Sequence, residues 1–253
     1  MPIADDETER AGRILLEARH TGEAAEVPGF RLETTADAYR IQDKVAARLG
    51  PAAGWKVGAP SREATPFCAP LLAGAVREPA RRHEVRFARP LGVEVEIAFV
   101  LGRAFPPAAQ PPEREEVLDA IAFCHIAIEL CAMRWRGDPG SVDPLWKLAD
   151  NQMNESLLLG PEIAAWRDAD LGKLEARLAV DGTTAETPRR PSDDDLIGLL
   201  VWLVRHCVEA RGGVAAGAAI TTGSWTGMHF VRPPAEIVGA IGDFEPIELG
   251  LRR

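Results

Sequence analysis

The chain has 253 residues, enough for one large domain or for a core domain with a small appendage. Its formal net charge of -9 argues against a nucleic-acid-binding surface. There is no apolar run of membrane-spanning length, and residues 1–10 are acidic rather than a basic region followed by an apolar one. We therefore expect a cytoplasmic protein that does not insert into a membrane.

The four cysteines show no C-x-x-C spacing; they are Cys68, Cys124, Cys131 and Cys207. A disulfide framework or a zinc site normally has paired or closely spaced cysteines. Most of these cysteines lie in apolar surroundings. We interpret them as reduced core thiols.

The amino-terminal part predicts two amphipathic helices, at residues 5–20 and 34–49. The second has a start signal at Thr34 and Thr35 and a stop signal at Gly50. We expect residues 1–52 to form a helical segment that precedes a domain at residues 53–253.

A short strand is predicted at residues 54–58, with Lys56 on the face opposite Trp55 and Val57. The glycines on either side, Gly54 and Gly58, allow a ligand or another backbone to approach closely. A buried lysine is rare unless it is paired, so this position indicates function. The alternative is a surface lysine whose stem covers apolar area.

The segment 92–101 predicts a strand with two carboxylates, Glu94 and Glu96, side by side on one face. The other face is apolar and consists of Val93, Val95, Ile97, Phe99 and Leu101. Two like charges so close repel, and a hard divalent cation such as Mg²⁺ or Mn²⁺ would offset the repulsion. The alternative is a half-exposed strand with solvated glutamates.

A second strand, at residues 123–130, places a third carboxylate, Glu129, opposite an apolar face. That apolar face consists of Cys124, Ile126, Ile128 and Leu130. His125 shares the face of Glu129, and we interpret it as a core histidine.

The remaining pattern mixes short strands with one long helix. Residues 174–180 and 183–187 predict a hairpin around Asp181-Gly182, and Ser192 begins a helix that extends to about residue 210. From residue 218 onward the chain is β-rich, with a turn at Gly242-Asp243. This alternation indicates the α+β class.

Five short motifs occur in a characteristic order and spacing: Gly54-Trp55-Lys56-Val57-Gly58, Glu94-Val95-Glu96, Ala127-Ile128-Glu129, Ala149-Asp150-Asn151 and Thr222-Gly223-Ser224. In this respect the chain resembles the 2-keto-4-pentenoate hydratase/4-oxalocrotonate decarboxylase family of the fumarylacetoacetate hydrolase superfamily. The resemblance spans about residues 36–251. It implies a fumarylacetoacetate-hydrolase-like mixed β-roll core with an N-terminal helical segment.

The resemblance also implies a site. Its expected metal ligands, for Mg²⁺ or Mn²⁺, are Glu94, Glu96 and Glu129; its catalytic residues are Lys56, Ser224 and Asp150; its substrate-binding residues are Arg134, Thr222 and Gly223. Two further assignments also have alternatives. Asp150-Asn151 is equally typical of a turn, and Arg134 could lie in a solvated loop.

The activity implied by the resemblance is that of a divalent-metal-dependent lyase. We expect hydration of a 2-hydroxy-2,4-dienoate or 2-oxo-alkenoate acid from aromatic meta-cleavage catabolism. The alternatives are decarboxylation of a 4-oxalocrotonate-type acid, hydrolysis of a C–C bond in an acylpyruvate, and a catalytically dead partner subunit. The expected assembly is a homo-oligomer, with a related decarboxylase or hydratase as a further candidate partner.

The chain departs from the family near the expected substrate pocket. The family's hydratases carry an aspartate where this chain has Phe67-Cys68-Ala69-Pro70-Leu71, and the nearest acid is Glu63. After Glu129, the family's D-S-R is replaced by Ala132-Met133-Arg134. We therefore expect a retained metal site and an altered substrate pocket.

Overall fold

The computed structural model describes residues 2–61, 63–185 and 193–253. Its helices are α1 (Asp5–Thr21), α2 (Thr35–Leu49), α3 (Arg114–Asp119), α4 (Pro144–Ala149) and α5 (Asp193–Ala210). Its strands are β1 (Gly54–Gly58), β2 (Phe67–Leu71), β3 (Val76–Arg77), β4 (Arg82–Arg86), β5 (Leu91–Leu101), β6 (Ile121–Cys131), β7 (Asn154–Glu162), β8 (Ala176–Val180), β9 (Thr183–Thr184), β10 (Ala219–Thr221), β11 (His229–Val231), β12 (Ala235–Ile241) and β13 (Ile247–Arg252).

The two amino-terminal helices are confirmed to within one residue at each end. Thr34 caps α2, where its hydroxyl accepts a hydrogen bond from the Asp37 backbone N–H at 3.2 Å. Both helices contribute to an apolar cluster that also includes Trp135 and Trp146. Helix α1 packs against α2, and α2 packs against α4. The boundary at residue 52 stays a prediction.

The strands form two sheets. The larger has eight strands in the order β2-β1-β10-β5-β6-β7-β3, with β11 paired to one end of β5. The smaller has five strands in the order β4-β13-β12-β8-β9. Three pairs are parallel, β1 with β10, β3 with β7 and β4 with β13, and the other ladders are antiparallel. This mixed architecture confirms the α+β class.

The sheets meet through the apolar faces of β5 and β6, which lie at the centre of the larger sheet. Gly239 of β12 lies over Val95 and Ile128, where an added Cβ would be 3.0 Å from the Val95 side chain. The alternation predicted for both strands is therefore confirmed. The opposite face is covered as well, by a smaller cluster that includes Ala98, Ala127 and Leu157.

The hairpin of β8 and β9 turns at Asp181 and Gly182, which both have positive φ. Its second strand is shorter than predicted, and the predicted positions from residue 186 onward lie outside the described residues. The predicted helix start at Ser192 lies outside them too, although α5 ends at the expected Ala210. Within the described ranges, no helix has both the length and the apolar character that a membrane span requires.

Candidate functional site

Lys56, Glu94, Glu96 and Glu129 converge on one side of the larger sheet, as the motifs predict. Glu94 and Glu129 are direct partners across the β5–β6 ladder. Lys56 Nζ donates a hydrogen bond to Glu129 Oε1 at 2.6 Å and a second one to the carbonyl oxygen of Gln152 at 3.2 Å. Strands β1, β5 and β6 thus bring one cation and three carboxylates together. β5 and β6 are neighbours, and the short strand β10 lies between β1 and β5.

These carboxylates are buried and only partly hydrogen-bonded. Glu129 is 0% exposed and Glu96 is 2% exposed, so neither is the solvated glutamate of the alternative interpretation. Asn154 Nδ2 donates to Glu129 Oε1 at 2.7 Å. The other oxygen of Glu129 and the Oε2 atom of Glu96 have no hydrogen-bond partner among the described residues. Leaving such atoms unpaired is costly, and a bound cation would remove that cost.

The electrostatics of the site also favour an added cation. Burial raises the pKa of Glu94, an effect that the Lys56 charge opposes. The pKa of Glu96 lies well above its ordinary value because of burial and then because of the neighbouring Glu129 and Glu94. Burial is the largest single influence on the pKa of Lys56 and lowers it, but the neighbouring acidic groups, Glu129 foremost, together outweigh burial and the net shift is upward. One ammonium group therefore faces three carboxylates that it does not fully neutralise.

A cysteine completes this cluster. Ligand atoms of Glu94, Glu129 and Cys131 lie within 4.8 Å of one another, and the Cys131 thiol donates to Glu94 Oε2 at 3.6 Å. All four cysteines are free and buried, as predicted for core thiols. Cys131, however, faces carboxylates and not an apolar core. The signal was available, since residue 131 shares a strand face with residue 129.

The cluster opens into a cavity of about 650 Å³. On the side of the sheet, the cavity is lined by Lys56, Glu94, Glu96 and residues 221–224. The rest of its wall consists of residues 57–61, Ala64, Pro66, Phe67, Gln152, Leu196, Gly198, Leu199 and Trp202. The hydroxyl of Thr222 makes no hydrogen bond to the described residues, so it is free to hold a polar ligand. The hydroxyls of Thr221 and Ser224 lie next to Glu96 and Glu94 and help to lower the pKa of these carboxyls. Gly223 has φ of +102°, a conformation that L side chains rarely adopt.

Asp150 and Arg134 do not line the cavity. Asp150 Oδ1 pairs with Arg19 at 3.3 Å and with Arg134 at 3.4 Å, and its Oδ2 accepts from the Arg134 backbone N–H at 3.0 Å. Arg134 also pairs with Glu155 at 2.5 Å. Arg134 is thus buried and not in a solvated loop. The structure places these two predicted site residues in a buried ion-pair cluster, away from the other seven.

The segment that follows Asp150 connects this cluster to the cavity. Asn151, Gln152 and Met153 all have positive φ, between 50° and 63°, which non-glycine residues rarely adopt. Asn151 Nδ2 donates to the Pro70 carbonyl oxygen at 2.9 Å. The segment presents its Gln152 carbonyl to Lys56 and lines the cavity with Gln152. Neither Gln152 nor Asn154 carried a sequence signal that singled it out.

The altered segment at residues 67–71 forms β2, and Phe67 lines the cavity. Glu63, the nearest acid in sequence, is exposed and does not line it. Within the described ranges, the titratable side chains in the cavity wall are Lys56, Glu94 and Glu96. No described side chain takes the place of the missing aspartate.

Comparisons with known proteins agree with this geometry. A family model described as fumarylacetoacetate (FAA) hydrolase C-terminal matches residues 67–249, a range that contains the three glutamates and residues 222–224. Lys56 precedes this range. No curated protein matches the chain significantly.

Several solved structures share the fold. The 4-oxalocrotonate decarboxylase from Pseudomonas putida G7, complexed with magnesium and adipate, has a TM-score of 0.79 at 20% identity over 98% of each chain. The fumarylpyruvate hydrolase from Pseudomonas aeruginosa, in complex with Mn²⁺ and pyruvate, has a TM-score of 0.53 at 19% identity over 78% of this chain and 88% of that chain. The 2-hydroxyhepta-2,4-diene-1,7-dioate isomerase from Mycobacterium marinum has a TM-score of 0.58 at 19% identity, over 80% of this chain and 75% of that chain.

At these identities the structures show the fold, and the predicted fumarylacetoacetate-hydrolase-like fold is confirmed. The matched family model covers most of the sequence, including all three glutamates of the carboxylate cluster. The chain belongs to the fumarylacetoacetate hydrolase family.

Proposed function

We propose that the protein is a divalent-metal-dependent decarboxylase that acts on a 2-oxo acid with a second, distant carboxylate. The observation that carries this proposal is the division of the cavity wall. The described titratable side chains, Lys56, Glu94 and Glu96, all belong to the sheet, whereas α5 and the segment before β2 contribute mainly apolar residues. The decarboxylase structure with bound magnesium and adipate, similar over nearly the whole length of both chains, supports the proposal.

The cluster of Glu94, Glu96 and Glu129 suits a hard cation such as Mg²⁺ or Mn²⁺, because all three supply carboxylate oxygen. Glu96 and Glu129 each have a buried oxygen that no described residue pairs with. When bound, the cation would supply Lewis-acid polarisation of the 2-oxo group. The hydrogen bond from Asn154 and the ion pair with Lys56 hold Glu129 in place for this role.

The substrate would be held by groups around the cluster. The hydroxyls of Thr222 and Ser224, which line the cavity, are suited to a carboxylate next to the 2-oxo group. Lys56 would offset the negative charge that develops on the 2-oxygen as the C–C bond breaks. It can also return a proton to the product.

The apolar wall favours loss of carbon dioxide. The breaking bond leaves its electron pair in a conjugated enolate, and the distant carboxylate departs as neutral CO₂. Leu196, Leu199 and Trp202 give this part of the cavity an apolar wall, which would solvate a carboxylate poorly. A carboxylate placed there is poorly solvated, which raises the free energy of the bound substrate. Neutral CO₂ does not need this solvation, so the apolar wall lowers the barrier to decarboxylation.

Hydration of a 2-hydroxy-2,4-dienoate is the second candidate. The retained carboxylate cluster and Lys56 serve this reaction equally well, since the same chelate binds the substrate. Hydration also needs a water held at the far double bond and a proton delivered to carbon. Among the described lining residues, β2 and α5 contribute no titratable side chain that could hold this water or deliver this proton. An acylpyruvate hydrolase would need a water-activating histidine and acid, and no histidine appears among the described lining residues.

The two candidates are separated by supplying 4-oxalocrotonate and 2-hydroxypenta-2,4-dienoate in separate assays with Mg²⁺ or Mn²⁺. We expect CO₂ release from the first and slow or no loss of diene absorbance from the second. Rapid hydration without CO₂ release would reverse this order. Inactivity on both would favour an altered substrate or a partner subunit without activity.

A further inference from the structure

Cys131 is the one member of the carboxylate cluster that the proposed reaction does not use. It ends β6, is buried, and shares the face of Glu129. Its ladder partner is Gly92, which has no side chain to separate the thiol from the neighbouring Glu94. Cys124, on the same strand, lies on the opposite face in the apolar core.

Cys131 lies close enough to two glutamates to bind the same metal ion. One donor atom each from Glu94, Glu129 and Cys131 lies within 4.8 Å of the other two. A sulfur and an oxygen ligand of one tetrahedral zinc ion lie about 3.6 Å apart, as their bond lengths of about 2.0–2.3 Å require. Cys131 Sγ and Glu94 Oε2 already lie 3.6 Å apart. Glu129 lies within 4.8 Å of both, so a side-chain adjustment of about 1 Å brings all three atoms to one ion.

A second observation points to a ligand at this place. Glu129 Oε2 and Glu96 Oε2 are buried and make no hydrogen bond to any described residue. The thiol proton of Cys131 is directed at Glu94 Oε2, so it does not satisfy either atom. Glu129, which carries one of these unpaired oxygens, belongs with Cys131 and Glu94 to one group of closely spaced ligand atoms.

We propose that Cys131 is an additional ligand for thiophilic divalent cations such as Zn²⁺, Co²⁺ or Cd²⁺, whereas Mg²⁺ is bound by the carboxylates alone. The proposal rests on the carboxylate metal centre of the proposed function. Thiolate is a soft ligand that favours these ions, and Mg²⁺ takes oxygen ligands. On binding, the S–H bond breaks, sulfur uses the freed electron pair to bind the metal, and the proton passes to solvent. No oxidation state changes.

This arrangement gives the site two modes of metal binding. With Mg²⁺, the positions not taken by the carboxylates stay open to substrate oxygens. With a thiophilic ion, sulfur takes one of these positions and the ion is held more tightly. Zn²⁺ and Cd²⁺ are therefore expected to displace Mg²⁺ and to lower turnover, through a residue that is not needed for catalysis with Mg²⁺.

The test uses chelator-treated full-length protein titrated with Cd²⁺ and, separately, with Mg²⁺. The readouts are the sulfur-to-cadmium charge-transfer absorption and the ¹¹³Cd NMR shift, which distinguishes sulfur from all-oxygen ligation without any substitution. We expect a sulfur signature at one Cd²⁺ per chain. In Cys131→Ser the signature should disappear and Cd²⁺ affinity should fall by at least about tenfold, while Mg²⁺ affinity stays unchanged.

Cys124→Ser is the matched control, because it removes a buried thiol from the other face of the same strand. It should keep the sulfur signature. A Cd²⁺ complex with an all-oxygen shift in the unsubstituted protein would overturn the role of Cys131 and leave the carboxylate centre intact. A signature that persists in Cys131→Ser would also overturn it. Failure of both Mg²⁺ and Cd²⁺ to bind would instead contradict the proposed function itself.

Discussion

At the scale of single residues, Lys56 connects the carboxylate cluster to the cavity. It pairs with Glu129, contacts the Gln152 carbonyl and keeps 14% of its side chain exposed. Loss of one preorganised electrostatic group typically lowers turnover by about 10²- to 10³-fold. Lys56→Ala should therefore be nearly inactive in the decarboxylation assay while its circular dichroism spectrum stays that of the folded protein.

Lys44→Ala is the control for this variant, because it removes a lysine from an exposed ion pair with Glu9. It should keep full activity. Turnover of Lys56→Ala equal to that of Lys44→Ala would show that the ammonium group of Lys56 has no role in the reaction.

The buried carboxyl of Glu96 makes the metal-free protein sensitive to pH. Its pKa in the folded protein lies well above the ordinary 4.5 because of burial and the neighbouring carboxylates. The protonated carboxyl therefore contributes its full free energy of stabilisation below about pH 4.5. This contribution is lost as the pH rises through the raised pKa of the folded protein. Thermal unfolding in chelator should show a stability loss above pH 5 that is smaller in Glu96→Gln.

Saturating Mn²⁺ should reverse this loss, because the ion binds the ionised carboxylates of the folded chain. If chelator-treated parent protein and Glu96→Gln show the same pH dependence of thermal stability, residue 96 is not a buried ionisable group.

At the scale of elements, the ion-pair cluster of Asp150 supports the segment at residues 151–153. Three successive residues with positive φ cost free energy that the surroundings must offset, and Asp150 and Asn151 anchor the segment at one end. Removing one partner of a buried ion pair typically costs about 3–5 kcal/mol. Arg134→Met should lower the free energy of urea-induced unfolding by an amount of this order.

Arg136→Ala is the comparison, since Arg136 pairs with Glu26 on the surface at 2.7 Å. Exposed pairs contribute about 0–1 kcal/mol, so this variant should be almost as stable as the parent. Equal stabilities for the two variants would mean that the Asp150 cluster does not support the fold. We infer that Asp150 and Arg134 act by positioning Gln152 and Lys56, since they do not touch the cavity.

The elements also show what the sequence can predict. The period of β5 and β6 identified both the apolar faces and the three glutamates, because alternation depends only on local backbone geometry. The helices α1 and α2 were predicted from their amphipathic period for the same reason, and α2 also from its cap signals at Thr34 and Gly50. These signals act over a few residues.

Features that depend on distant contacts were not predicted. The cluster of Asp150 and Arg134 includes Arg19, which is separated from Asp150 by more than a hundred residues. Strand alternation places Cys131 on the face of Glu129, but the sequence does not reveal that Glu94 lies beside it across the ladder. Gln152 lines the cavity because of positive φ values that no local residue preference predicts.

At the scale of the whole molecule, the cavity is assembled from parts that are far apart in the chain. The larger sheet supplies the charged wall, and α5 with residues 57–67 supplies much of the remainder. The net charge of -9 would repel an anionic substrate, so binding depends on a local cation at the sheet. The chain thus combines a charged metal site with an apolar chamber.

The apolar chamber leads to a further prediction. Leu199→Asn should admit water next to the departing carboxylate and lower kcat of decarboxylation by about tenfold, a barrier increase of about 1.4 kcal/mol. Leu49→Asn, at an exposed position on α2, should leave kcat unchanged. Steady-state kinetics check both; an unchanged kcat for Leu199→Asn would remove the argument for a dry chamber.

The central claim is that Glu94, Glu96 and Glu129 bind one divalent cation. Isothermal titration calorimetry of chelator-treated protein with Mg²⁺ and with Mn²⁺ tests it most directly, with Asp6→Asn/Glu23→Gln as a control that removes two exposed acids. We expect one ion per chain in the parent and the control, and no measurable binding to Glu94→Gln/Glu96→Gln. Unchanged Mg²⁺ or Mn²⁺ binding to the Glu94→Gln/Glu96→Gln protein would contradict the claim.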